Sequence, residues 1–279
     1  MLFATTSLAR RIESAEARLV ADIAWSVARR RRDDTVLIAR LGGGAAAIAG
    51  PGSPFNKIAG LGFAPLDLRE LADVEHEFER RHIPVRVEIS SLGDPAVMKT
   101  LTGRGYALEG FENVLGRGCD RPVEDSPASV RIQHVEPDAA REWMDIVVEG
   151  FLHPDAFDGP PPTESFDRDD IERVFADSLC IDGWRGYLAT RDGVAAGGGS
   201  LRVSDGVASL CGAATLPQYR RQGVQTALLR ERLRDVAGAG CDIAVVTTQP
   251  ASKSQANVQR EGFELLYTRA VLMRGAKQG

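Results

Sequence analysis

Residues 217–229 form a turn and a helix start of the kind that binds phosphate. They read Pro-Gln-Tyr-Arg-Arg-Gln-Gly-Val-Gln-Thr-Ala-Leu-Leu and follow a strand-like run over 207–216. We expect a strand, a turn around Gly223 and then a helix. The first N–H groups of such a helix have no partner inside it, and the helix dipole adds partial positive charge there. With Arg220 and Arg221 alongside, the predicted chemistry is binding of a phosphate or pyrophosphate.

The glycine pattern excludes two common phosphate loops. The sequence contains no Gly-Lys-Ser/Thr, so a P-loop is not supported. It also contains no Gly-x-Gly-x-x-Gly followed by an acidic residue about twenty positions on, so a dinucleotide-binding fingerprint is unsupported.

The order strand, Pro-x-Tyr-Arg, x-x-Gly-x, helix resembles motif A of the GCN5-related N-acetyltransferases (GNAT). That family's pattern is Arg/Gln-x-x-Gly-x-Gly/Ala, and here Arg220, Gly223 and Gln225 occupy its three specified positions. Gln225 departs from the pattern. Its side chain either crowds a bound pyrophosphate or hydrogen-bonds it through the amide, and we expect the hydrogen bond.

The chain after motif A follows the same family order. A buried strand over 240–248, a short helix over 252–261, the pair Gly262-Phe263 and a final strand over 265–274 come in succession. Gly262 is expected to end the short helix in a left-handed conformation. The resemblance covers roughly residues 130–275.

The resemblance implies direct transfer of an acetyl group from acetyl-coenzyme A to an amine. It places the pyrophosphate on the helix start and the pantetheine beside the end of the preceding strand. A backbone N–H on that strand, assigned to Thr215, would polarise the acetyl carbonyl as an oxyanion donor. The cofactor-binding residues expected on this basis are Ala214, Thr215, Leu216, Arg220, Arg221, Gln222, Gly223, Val224, Gln225, Thr226 and Asn257.

The usual general acid of the family is missing. A tyrosine normally stands four residues before the Gly-Phe pair, and that position is Val258. Ser254 lies one helical turn earlier on the same face. We therefore consider Ser254, or a water it holds, as the group that protonates the thiolate. The alternative is that Ser254 hydrogen-bonds coenzyme A or caps the helix. Asn257 is expected to contact either pantetheine or backbone.

The acceptor amine is expected near the loop over 150–162, which joins the first two helices of the C-terminal half. Candidate acceptor contacts are Phe151, His153, Asp155 and Phe157, and the alternative is an ordinary solvated loop. No general base is assigned, although Glu149, Asp155 and Asp158 lie near this loop in sequence. Cys211 is rejected as an acyl-transfer nucleophile because it has no nearby histidine in sequence.

The C-terminal half needs further elements to position these groups. We expect a strand over 130–135, a helix from 136–137 to 149, a second helix with Thr163 as cap and 170–179 as body, and a hairpin of 184–190 with 194–203.

An internal repeat indicates two related halves. The segments 105–117 and 262–274 both begin with Gly-aromatic and both place Val-Leu-x-Arg at the same distance. We therefore predict a mixed α/β protein of two tandem GNAT-like domains, 1–120 and 128–279, joined by a linker over 119–128. The first domain lacks motif A. Its corresponding helix is expected to be capped by Asp67, an acid that repels phosphate, so we predict no coenzyme A site there.

Composition narrows the function class. The net charge of −5 argues against nucleic-acid binding, and the basic run over 29–32 fits the end of a helix. The four cysteines are widely spaced and the four histidines show no ligand spacing. We therefore expect reduced thiols, a cytoplasmic protein without a membrane segment, and no metal site.

The predicted activity is N-acetylation of a small-molecule primary amine by a monomer or homodimer. Alternatives are a non-catalytic acyl-coenzyme A sensor and a peptide or protein N-acetyltransferase.

Overall fold

The computed structural model describes residues 2–31, 35–154 and 167–275 and confirms a mixed α/β fold. In chain order, the elements are α1 (Thr6–Arg31), β1 (Leu37–Leu41), β2 (Gly44–Ile48), β3 (Lys57–Leu61), α2 (Leu68–Arg80), β4 (Val85–Ser90), α3 (Pro95–Gly103), β5 (Ala107–Gly118), β6 (Val130–His134), α4 (Ala140–Leu152), α5 (Arg168–Ser178), β7 (Trp184–Arg191), β8 (Val194–Ser204), β9 (Val207–Thr215), α6 (Val224–Ala237), β10 (Ile243–Thr248), α7 (Lys253–Arg260) and β11 (Glu264–Arg274).

The chain divides into two compact units, and two of their boundaries fall inside strands β5 and β11. The C-terminal unit consists of Val114–Leu265 with the first two residues, and the N-terminal unit consists of Phe3–Asn113 with the chain from Leu266 onward. The end of β5 therefore belongs to the C-terminal unit, and most of β11 belongs to the N-terminal unit. The division of the sequence into halves at 120 and 128 stays a prediction, and the compact units differ from it in these two strands.

The N-terminal unit has the strand order β1-β2-β3-β4-β11-β5. β11 pairs with β4 in antiparallel register from Arg269 opposite Ser90 to Arg274 opposite Val85. Helix α1 lies against β2 and β3. Its close approach depends on small residues: a side chain at Gly60, where φ is +82°, would place Cβ 3.0 Å from the Ala17 methyl.

The helix caps in the N-terminal unit agree with the sequence. The Asp67 carboxylate accepts hydrogen bonds from the N–H groups of Arg69 and Glu70, so it caps α2 as predicted. After α3, Gly105 has φ +89° and the Tyr106 N–H donates to Leu101 O over 3.2 Å.

Helix α7 of the C-terminal unit ends in the same way. Gly262 has φ +83°, its N–H donates to Gln259 O, and the Phe263 N–H donates to Val258 O over 3.2 Å. This pair of bonds is a Schellman motif. The left-handed cap predicted at Gly262 is confirmed, and the repeated Gly-aromatic signal produces the same turn in both units.

The C-terminal unit has the strand order β5-β10-β9-β8-β7-β6, with β10 parallel to β9. Tyr187 and Ala189 of β7 pack in the α6 core, whereas Leu188 packs in the core formed with α4 and α5. Because alternate residues of a strand face opposite sides, α6 covers one face of this sheet and α4 with α5 covers the other.

Two predicted helix starts are wrong. The first helix of the C-terminal half begins at Ala140 and not at 136–137, because Ala139 N–H bonds Glu136 O in a turn that precedes it. The second begins at Arg168, with Asp167 as cap: its carboxylate accepts from the Asp170 N–H over 2.8 Å. Thr163, the predicted cap, lies outside the described residues.

Candidate functional site

The parallel strands β9 and β10 separate toward their carboxyl ends. They pair at Val207–Ile243, Ala208–Ala244 and Ser209–Val245, and the register ends there. Gly212 has φ +57°, and the pairing of β8 with β9 slips between Gly198 and Ser200. This irregularity is a β-bulge, which bends its strand. The carboxyl half of β9, with the predicted residues 214–216, therefore lies beside an opening between strands.

A fully buried arginine supports the bulge from the α6 side. Arg232 Nε donates to Leu228 O over 3.0 Å, and Nη1 donates to Ser200 O over 3.1 Å. The Ser200 hydroxyl donates to Cys211 O over 3.0 Å. Burial lowers the pKa of Arg232 to about 10. These bonds join α6 to Ser200 and Cys211, the first residue pair of β8 and β9 on one side of the bulge.

The helix after β9 begins without a side-chain cap. Gly223 is the N-cap with φ +83°, its carbonyl accepts from the Ala227 N–H over 2.9 Å, and the first turn of α6 carries no acidic residue. A Cβ at position 223 would lie 2.8 Å from Pro127 Cγ, so glycine is required for space as well as conformation. The N–H groups of Val224, Gln225 and Thr226 thus lie at a positive helix end, as the phosphate prediction requires.

The turn between β9 and α6 is held by side chains bonded to backbone carbonyls. Arg220 Nε donates to Thr215 O over 3.3 Å, and another nitrogen of the same guanidinium donates to His153 O. Arg191 Nη1 donates to Gln222 O over 2.9 Å. Arg220 therefore bridges the strand end and the end of α4. Arg221 is exposed and has φ +60°.

Two buried hydroxyls at the strand ends have no hydrogen-bond partner among the described residues. They are Thr215 Oγ1, on the last residue of β9, and Thr248 Oγ1, on the last residue of β10. A buried hydroxyl without a partner is unfavourable, and a polar ligand would satisfy it. These donors and the uncapped helix start fit a coenzyme A pyrophosphate and its pantetheine arm.

Helix α7 carries the remaining predicted cofactor contacts. Ser252 is its N-cap, accepting from the Gln255 N–H over 3.1 Å, so the alternative that Ser254 caps the helix is wrong. Ser254 is exposed. Asn257 Oδ1 accepts from Arg260 Nη1 over 2.9 Å. Val258, at the family's tyrosine position, is buried in the α6 core.

A cavity of about 400 Å³ lies between α4, the start of α5 and the turn after β9. Glu149, one of the residues that line it, contacts two other lining side chains. Its Oε1 is 3.1 Å from His153 Nδ1, and its Oε2 is 2.6 Å from Arg168 Nη2. The lining residues are Asp145, Ile146, Glu149, His153, Arg168, Leu216, Pro217 and Gln218.

The predicted acceptor contacts differ in whether they line the described part of the cavity. His153 lines the cavity, whereas Phe151 is exposed beside the Phe175 ring, 5.7 Å away between centroids, and is not among the described lining residues. Asp155 and Phe157 lie outside the described residues. Sequence reasoning missed Asp145 and Arg168. The spacing of 145, 149 and 153 along one helix face could have indicated the first, but nothing local indicates the second.

Within residues 2–31, 35–154 and 167–275, none of the helices combines the length and the hydrophobicity that a membrane span needs. Nor do three or more His, Cys, Asp or Glu side chains come together there in a way that could hold a metal ion.

The comparisons with known proteins agree with this geometry. Residues 151–263 match the sequence model of the acetyltransferase (GNAT) family. No curated protein matches the chain significantly. A GCN5-related N-acetyltransferase from Kribbella flavida has a similar structure, with 17% identity, a TM-score of 0.64, and 94% of this chain and 96% of that chain covered.

Two further solved structures resemble most of the chain. A GCN5-related N-acetyltransferase from Sphaerobacter thermophilus is 15% identical, with a TM-score of 0.59 over 88% of this chain and 76% of that one. A tandem GNAT protein from the clavulanic acid biosynthesis pathway is 13% identical, with a TM-score of 0.61 over 92% and 88%. The N-terminal half is thus GNAT-like in fold, residues 151–263 match the GNAT family model, and the chain as a whole has the tandem GNAT fold.

Proposed function

We propose that the chain transfers an acetyl group from acetyl-coenzyme A directly to the primary amine of a small molecule. The observation that carries the proposal is the combination of diverging strands β9 and β10 with the uncapped start of α6. The 400 Å³ cavity beside this turn has the size of a small-molecule site.

The proposed cofactor contacts follow the turn. The pyrophosphate binds the N–H groups from Gln222 to Thr226, and the pantetheine lies beside Ala214, Thr215 and Leu216. The Thr215 N–H stabilises the developing oxyanion, a contribution of about 3–4 kcal/mol for one such donor. On α7, Asn257 contacts the cofactor.

The departing thiolate must gain a proton, and Val258 cannot supply it. Ser254 is exposed one turn earlier on α7, and we propose that it, or a water it binds, is the donor. The alternative is a hydrogen bond from Ser254 to coenzyme A without proton transfer.

Two other functions share the same cofactor site. A non-catalytic acyl-coenzyme A sensor is favoured by one observation, the core valine at the tyrosine position. A peptide or protein N-acetyltransferase would differ only in its acceptor. Release of free thiol with simple amines supports the small-molecule enzyme, whereas tight binding without turnover on amines or peptides supports the sensor.

Calorimetric titration with acetyl-coenzyme A tests the cofactor site. Wild type is expected to bind, and Gly223→Trp is expected to lose binding. Because that change can also disturb the turn, a second variant, Gln225→Glu, places an acid in the first turn of α6. An acid there suits the helix dipole but repels a phosphate, so folding is retained while affinity falls. Gln259→Glu on α7 is the matched control. Absence of binding to wild type would overturn the proposal.

A further inference from the structure

The acceptor cavity contains a histidine whose ring is held by a carboxylate. His153 follows the last residue of α4, and its Nδ1 lies 3.1 Å from Glu149 Oε1 and 3.1 Å from Glu149 O. With Nδ1 bonded to these oxygens, the proton of the neutral ring is on Nδ1 and Nε2 has its lone pair available. This is the arrangement of an oriented general base.

The backbone of His153 is fixed to the predicted cofactor strand. Arg220 donates to His153 O and to Thr215 O with one guanidinium. Arg220 therefore links the backbone that carries the imidazole to Thr215, whose N–H is proposed to bind the acetyl carbonyl. Leu216 and Pro217, the next residues after Thr215, line the same cavity as His153.

The charges that face the pair favour a cationic acceptor. On α4, Asp145 and Glu149 are acidic, and Asp145 pairs with exposed Arg141 over 3.0 Å. On α5, Arg168 is shared between Glu149 and Glu172, the latter at 3.5 Å. Two carboxylates thus share one arginine, which leaves a net negative charge on this group of three side chains. An ammonium group in the cavity would gain from that charge, whereas an acceptor carboxylate would be repelled by it.

We propose that His153, held by Glu149, is the general base that takes a proton from a cationic primary amine bound in this cavity. This inference rests on the proposed acetyl transfer. His153 is the catalytic residue, and Glu149 is a positioning residue that also attracts the ammonium.

The proton balance is complete without another reagent. The ammonium R–NH3+ gives one proton to His153 Nε2, and the free amine attacks the thioester carbonyl. The C–N bond forms and the C–S bond breaks. A second proton leaves the former amine nitrogen and ends on the coenzyme A sulfur, and His153 returns its proton to solvent.

The test compares two histidine–carboxylate pairs of the C-terminal unit. His153→Gln and Glu149→Gln change the proposed pair. His134→Gln is the matched control, because His134 lies 3.2 Å from Asp235 and its side chain is 51% exposed against 57% for His153. Each variant is assayed for thiol release over a range of pH with ethanolamine, putrescine and the less basic glycinamide, and for acetyl-coenzyme A affinity by calorimetry.

We expect His153→Gln to lower kcat/KM at neutral pH about 100-fold, the usual contribution of a general base, with acetyl-coenzyme A affinity unchanged. The acidic limb of its pH profile moves up toward the pKa of each amine, because only the free amine then reacts. Glu149→Gln gives a smaller loss in the same direction, and His134→Gln keeps the wild-type profile.

The outcomes separate this inference from the proposed function. If wild type releases thiol and both cavity variants keep its pH profile, the base assignment is overturned and acetyl transfer stands. An equal shift in His134→Gln also overturns it. If wild type binds acetyl-coenzyme A and releases no thiol with any amine, the proposed function falls, and the base assignment falls with it.

Discussion

Arg269 and Glu13 form a fully buried ion pair, with 2.7 Å between Arg269 Nε and Glu13 Oε1 across 256 positions of sequence. The Tyr267 hydroxyl donates to the same carboxylate oxygen over 2.7 Å. Arg269 and Tyr267 of β11 thus both bind Glu13 of α1, within the N-terminal unit. These contacts hold β11 to α1, and backbone pairing holds it to β4.

Removing one partner of this pair is expected to be costly. Arg269→Met leaves Glu13 buried without its cation, so the free energy of unfolding should fall by about 3–5 kcal/mol. The double variant Glu13→Gln with Arg269→Met should recover much of this loss, since Glu13 then carries no charge, and Glu88 and Glu112, which also face Arg269, keep their ion pairs with Arg86. Urea denaturation checks both. A loss below about 1 kcal/mol in the single variant would mean that the pair does not hold β11.

Glu112 should make the stability of the N-terminal unit fall as pH rises from about 4.5 to 7. Burial, with the nearby Glu88 carboxylate, raises the pKa of Glu112 from 4.5 to about 7. The folded state then keeps a proton that the unfolded state loses, so the free energy of unfolding decreases between about pH 4.5 and 7. In Glu112→Gln this decrease should be absent, and the variant should be more stable than wild type at pH 8. Parallel stability curves for the two proteins would contradict the prediction.

Thr215→Val should separate stability from cofactor binding. The Thr215 hydroxyl is buried without a partner among the described residues, so replacing it with a methyl should leave stability unchanged or raise it by about 1 kcal/mol. Acetyl-coenzyme A affinity should fall about 10-fold if the hydroxyl bonds the cofactor. Thr248→Val, at the end of β10, is the companion variant. Unfolding and calorimetric titration measure the two effects, and lower stability with full affinity would refute the assignment.

Arg220→Ala should affect both substrates. Its guanidinium joins Thr215 O and His153 O, so its loss frees the cofactor strand and the acceptor wall together. We expect weaker acetyl-coenzyme A binding and a higher amine KM, each about 10-fold for a lost charged hydrogen bond. Arg173→Ala, an exposed arginine of α5 paired with Asp170, controls for loss of charge. An effect on only one substrate would show that Arg220 does not couple the two sites.

Ser254→Ala tests the proton donor on α7. A general acid contributes about 100-fold or more, so kcat should fall by that factor and the alkaline limb of the rate profile should disappear. Steady-state kinetics over a pH range measure this. Unchanged turnover with an unchanged alkaline limb would leave Ser254 at most a hydrogen bond to coenzyme A.

Local signals in the sequence determined the ends of many elements. Asp67 caps α2 as predicted, Gly262 ends α7 in the left-handed region, and α6 ends at Ala237, close to where its pattern stops. Each of these depends on a few neighbouring residues, because a cap or a positive φ is decided within about one helical turn. The motif around Gly223 was predictable for the same reason.

Only the tertiary structure decided which segments meet. Nothing local to β11 indicates that it pairs with β4, since strand pairing is chosen by packing between distant segments. The cavity likewise joins α4, Arg168 of α5 and the turn after β9. The sequence by itself thus determined the family motif, its turn and the local spacing of Glu149 and His153, whereas the pairing of β11 with β4 and the packing of α4 and Arg168 beside that turn came from contacts between residues far apart in the chain.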